Sequence, residues 1–242
     1  MRSVVPFFAV NLALLLNVFG CTASRGIDRQ ALLESIHHSP GVRNESVAST
    51  LTPESRLPTP YRLAIFFQHK DVPASAQSRS VGWTGADAKL IQEALAPLKE
   101  LDIVHESFLL VNSSVQGPAL RDIRSAAARY NADAILVIDG ASTVDRYNNR
   151  RAWWYITGFG AYLAPGTESH ALFIMEGTVL DVWSGRLYGT QQAEGEITLV
   201  GPAVSLEDRA AIAQAKDVAL ERFGKAIVEA LRRLNEKQRV SN

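Results

Sequence analysis

The one thiol in this 242-residue chain is Cys21, and its neighbours decide what chemistry it can do. It ends the run Leu15-Leu16-Asn17-Val18-Phe19-Gly20-Cys21, behind an apolar stretch from Val4 to Leu16 that Met1-Arg2-Ser3 leads. A cationic start, a short apolar segment and a small residue before the cysteine suit a leader cleaved just ahead of a thiol that would then be open to receive a lipid. The apolar run includes Asn11, is followed at once by Asn17, and is shorter than the roughly 20 residues a membrane span needs. Free cysteine is also a common core residue, so a buried thiol at the end of an ordinary secretory leader or of an uncleaved membrane helix is the alternative. With the leader removed, Cys21 is the amino terminus, and several acyl chains on one residue meet the requirement for more than one apolar anchor.

Groups that could act on a substrate are harder to assemble. There is no Gly-x-Ser-x-Gly elbow, no phosphate-binding Walker loop and no His-Glu-x-x-His. His37 and His38 are adjacent, a spacing that rarely converges on one metal, and read as a solvated pair. Gly158-Phe159-Gly160 follows no strand-to-helix context and reads as a tight turn. Asp139 and Asp145 flank the expected end of a strand, where open α/β sheets place ligands, or serve as turn acids. Together with His170 and Glu176 they are the candidate acid and base groups of a hydrolase, without a recognisable spacing. The expectation is a non-enzymatic chain with no cofactor and no metal.

The segment from Arg146 to His170 has the composition of a contact surface. Arg150 and Arg151 lead into Trp153, Trp154, Tyr155, Phe159 and Tyr162, an aromatic density far above the 8% of the whole chain. Rings beside cations suit membrane interfaces and protein hot spots. These seven residues are the candidate contacts to a partner or a membrane, the alternative being a crossover loop whose rings cover an open face of a sheet. A role as membrane-spanning strands of a secretion or pore subunit is disfavoured by the Gly and Pro positions, which give no ten-residue alternation.

Charge says little about partners. Lys and Arg number 25 against 25 Asp and Glu, and removal of residues 1–20, with Arg2 as their only charge, leaves one net negative charge. Nucleic acid is therefore not an expected partner. With Cys21 acylated no thiol is left for a disulfide.

The elements that must position these residues follow from periodicity. Residues 1–20 read as the leader, 21–60 as a lipid-anchored flexible linker with one weak helical pattern from Ile27 to Ile36, and 61–242 as a single globular domain. Tyr61 to Gln68 is a buried strand. Thr84 and Asp87 have the spacing of a capping box, opening a helix that runs to about Leu101. Ile103 to Val111 is a strand. Pro118 opens a helix over Ala119 to Tyr130, closed by Asn131. Asp133 to Gly140, continuous and β-branched, is a strand covered on both faces. Ser169 to Trp183 and Arg186 to Leu199 form a long hairpin around Ser184-Gly185, with Gly185 at positive φ and the second strand half exposed. Ser205 and Asp208 suggest a second capping box before a long amphipathic helix. The fold class is α+β: β-α-β-α-β, then a long hairpin and a C-terminal helix, in a mixed sheet with helices packed on it.

The residues before Cys21 resemble a bacterial lipoprotein signal peptide, with Phe19 larger than the residue usual at that place. Thr22, where enterobacterial lipoproteins retained in the inner membrane tend to have Asp, implies the outer membrane, facing the periplasm. The alanine-rich helix, Tyr130-Asn131-Ala132-Asp133-Ala134-Ile135-Leu136-Val137, and the strand ending Val179-Leu180-Asp181-Val182-Trp183-Ser184-Gly185 are distantly similar to the curli-secretion lipoprotein group. Trp154 to His170 followed by that hairpin resembles the rhombotarget lipoprotein family. The resemblance spans roughly Tyr61 to Leu199 and implies fold and envelope location, with other envelope proteins as partners; it brings no catalytic residues. The charged C-terminal tail, Glu236 to Asn242, departs from the apolar helix and basic end of chains processed by rhomboid-type sorting proteases.

Overall fold

The computed structural model describes residues 24–37, 57–68, 78–79, 82–117, 119–157 and 159–240. Cys21 and the leader, His38, Pro118 and Gly158 lie outside them, as does the side chain of His37. The elements are α1 (Arg29–His37), β1 (Tyr61–Phe67), β2 (Ser78–Arg79), α2 (Gly85–Ala94), α3 (Ala96–Glu100), β3 (Val104–Leu109) and α4 (Leu120–Arg129). There follow β4 (Ala134–Asn148), a 3-10 segment (Arg150–Thr157), α5 (Gly160–Leu163), β5 (Thr167–Asp181), β6 (Leu187–Gly201) and α6 (Asp208–Val240).

One six-stranded mixed sheet runs in the order β3-β1-β4-β5-β6, with β2 paired to β4 beyond the end of β1. β1 is parallel to both β3 and β4, whereas β4, β5 and β6 are antiparallel. The class is α+β, as the periodicity implies. Alternation along β4 builds two cores. Ala134, Leu136, Ile138 and Val144 face α2, α3 and α6, packing with Ile91, Leu95, Leu98, Phe223 and Ile227. Ile135 and Val137 face α4 through Ile123, Ala126 and Ala127. Both faces of the parallel half are thus covered, which is why its strands read as unbroken apolar runs.

Local chemistry explains where the observed elements depart from the sequence pattern. Thr84 and Asp87 form the capping box, each side chain bonded to the other's backbone amide. The helix they open is interrupted at Leu95, since Pro97 enters the first turn of the next one. Asn131, at φ 55°, follows α4 as the residue that turns the chain out of the helix. No capping box forms at Ser205, whose hydroxyl turns back to Pro202 O; α6 begins at Asp208, which accepts from Ser169 Oγ at 2.9 Å.

β4 does not stop at Gly140. It is 15 residues long and pairs with β5 over its whole length. Gly185 has φ +73° as expected, but the hairpin loop is wider than a two-residue turn. Asp181 Oδ1 accepts from the amides of Trp183 and Ser184, at 2.9 and 2.6 Å, closing an Asx-type turn instead. Arg124 of α4 braces the loop, donating to Val182 O and Trp183 O.

Part of the segment read as flexible linker is docked. α1 lies on the face of β4 and β5 that α4 leaves uncovered, burying Leu32 and Ile36 against Ala141, Leu172 and Ile174. The weak helical pattern was the visible trace of this contact. Its narrow apolar stripe is enough because the receiving patch is small.

Candidate functional site

The candidate contact residues sit on the excursion between β4 and β5, which the sheet closes at its base by polar bonds. Asn149 N donates to Gly166 O at 2.8 Å, and its amide nitrogen donates to Pro165 O and to Glu168 Oε1. Tyr147 Oη donates to Glu168 Oε2 at 2.8 Å, and Thr167 Oγ1 to Asn148 Oδ1. Gly166 is required here: a Cβ would lie 2.7 Å from the backbone of Ala152. Two bonds to Glu168, from Tyr147 and Asn149, hold its carboxyl below the usual glutamate range, and the same Glu168 bond raises the Tyr147 phenol.

On this base the rings point outward. Trp153 and Trp154 stack with centroids 4.2 Å apart, yet remain 59% and 49% exposed, and Phe159 and Tyr162 are 78% and 65% exposed. They therefore do not cover the sheet. Tyr155 is different: half-buried, it joins the base through Thr167 Oγ1 at 2.9 Å. Arg150 and Arg151 are exposed, and neither guanidinium has an ion pair among the described residues. Leu163, exposed on α5, belongs to the same patch; the aromatic count passed over it. The excursion is a 3-10 segment and one helical turn, with no strand among its described residues.

The acid and base candidates are occupied elsewhere. Asp139 and Asp145 are not at a strand end; both are buried within β4, because the strand continues through them. Asp145 accepts from Ser24 Oγ at 2.5 Å and from the amides of Arg25 and Gly26. Asp139 accepts from the Gly140 amide. His170 Nε2 is 2.6 Å from Glu196 Oε1. Cross-strand register makes neighbours of Asp145 and His170, and of Asp139 and Glu176, but Asp145 is bonded to the Ser24–Gly26 segment and His170 to Glu196 of the next strand. An open groove of about 1070 Å³ between α2 and α6 is lined by Leu90, Ala94, Pro97, Val228 and charged rims, without a nucleophile beside a base. No group of ligating side chains that could hold a metal occurs among the described residues. No described helix is long and apolar enough to cross a membrane.

No family model and no curated protein matches the chain. Solved structures with partial likeness include the protein XCC0632 of Xanthomonas campestris, at 15% identity over 78% of this chain and 93% of that one, TM-score 0.31. A PelC dodecamer from Paraburkholderia phytofirmans is similar at 12% identity over 74% and 95%, TM-score 0.31. The lipoprotein GNA1162 of Neisseria meningitidis follows at 12% identity over 57% and 84%, TM-score 0.28.

Proposed function

We propose that this chain is a lipid-anchored protein of the bacterial cell envelope, attached through Cys21 to the outer membrane on its periplasmic side, and that it works as a non-enzymatic binding or assembly factor. The resemblance to rhombotarget lipoproteins, carried by Trp154 to His170 and the Asp181-Val182 hairpin, is part of this reading. The observation that carries it is the aromatic excursion: a rigid base with its rings left in solvent is the construction of a contact surface. The commitment of Asp145 and His170 to structural bonds supports binding over hydrolysis.

The test is Cys21→Ser in the full chain, followed by metabolic labelling with a radioactive fatty acid and by membrane fractionation. Label and membrane retention are expected to be lost with the thiol. Undiminished labelling of the serine variant would overturn the anchor.

A further inference from the structure

We infer that the exposed rings at 153–163 lie in the headgroup and acyl boundary of the leaflet that holds the Cys21 lipid, so that the body rests on the membrane by its aromatic end. This rests on the anchor reading above and adds an orientation to it. The argument starts from Asp145. Its carboxylate takes the Ser24 hydroxyl and the amides of Arg25 and Gly26, while Arg29 pairs with Glu194 and Glu196 at 2.6 Å each. The chain is thereby pinned to the sheet three residues after Cys21, and three residues reach at most about 10 Å.

Direction follows from register. α1 packs over Ala141, Leu172 and Ile174, whereas Ser24 is bonded at Asp145, so the chain traced backwards from α1 advances along β4 towards Asn148. The excursion leaves β4 at Asn148, three residues beyond Asp145, or about 10 Å of strand. Lipid and rings accordingly belong to one end of the sheet.

The chemistry of that end suits a lipid surface. Trp153, Trp154 and Tyr162 are amphipathic rings of the kind that settle at headgroup depth, and Phe159 and Leu163 add apolar area. Arg150 and Arg151, without ion pairs among the described residues, match anionic headgroups. A protein partner would have to share this end with the acyl chains.

The full-length acylated protein, its lipid verified by intact mass, can be reconstituted into vesicles of phosphatidylethanolamine and phosphatidylglycerol containing phospholipid brominated near the headgroup. Trp153→Phe/Trp154→Phe in the same vesicles gives the emission of the other two tryptophans, and the difference belongs to Trp153 and Trp154. Bromolipid is expected to cut that difference about twofold or more, as for rings within the interface. Two results would overturn the orientation while leaving the anchor intact. One is quenching by aqueous acrylamide with none by bromolipid, as for rings in water. The other is protection from both quenchers, as for rings covered by a second copy of the chain. Recovery of unacylated protein would instead overturn the anchor reading, and the orientation with it.

Discussion

Glu168 shows how much of the excursion depends on one side chain, since Tyr147 and Asn149 both donate to it. These bonds favour the carboxylate and keep the Glu168 pKa below its unfolded value. A depressed acid contributes stability that is complete above the unfolded glutamate pKa, about 4.3, and that fades as pH falls through the lower folded value. Glu168→Gln should therefore melt below the parent at pH 7, and the gap should close as the pH drops under about 4. A gap independent of pH would mean that the charge is immaterial. The rings themselves were legible from composition alone, because a dense aromatic run is visible without knowing the fold. Asp145 was not. Its partners are Ser24 to Gly26, more than a hundred residues away, and no local pattern records such a contact.

Turn and helix chemistry was readable wherever one local interaction settles the element. Thr84 with Asp87 satisfies its own helix start, and Gly185 occupies a backbone region that side chains disfavour. A Cβ at Gly185 would also meet the Arg124 guanidinium at 2.5 Å, so Gly185→Val combines strain with displacement of the loop's brace. It should cost about 1 to 2 kcal/mol and lower the melting temperature of the full chain; an unchanged transition would show that the loop adapts freely. Elements whose limits are set by partners were read less well. β4 continues past Gly140 because β5 pairs with it to Asn148, a fact of the hairpin that β4 alone does not carry. Ser205 has the right spacing for a cap but bonds to Pro202, since the preceding turn claims its hydroxyl first.

For the molecule as a whole, a mixed sheet with helices packed on it was implicit in the sequence and the docking of the N-terminal segment was not. Strand and helix alternation demands helices on the parallel half of the sheet. The antiparallel half demands only that something cover Ala141, Leu172 and Ile174, and α1 does so. Leu32 is 1% exposed there, and Leu32→Ala should cost about 2 to 5 kcal/mol, visible as an earlier urea midpoint. A shift within experimental error would return α1 to the linker. The charged and polar stretch around α1 concealed this role, because a helix that buries few side chains keeps the composition of a tether.

The bond between Ser24 and Asp145 also sets an order of events in time. A chain emerging amino end first presents Ser24 well before the strand that will receive it, and α1 finds its seat only after β4 and β5 have paired. Contacts of such sequence separation form late. The finished fold then draws Ser24 to Gly26 in, so that pairing of the hairpin also fixes the place at which the chain ahead of α1 is held.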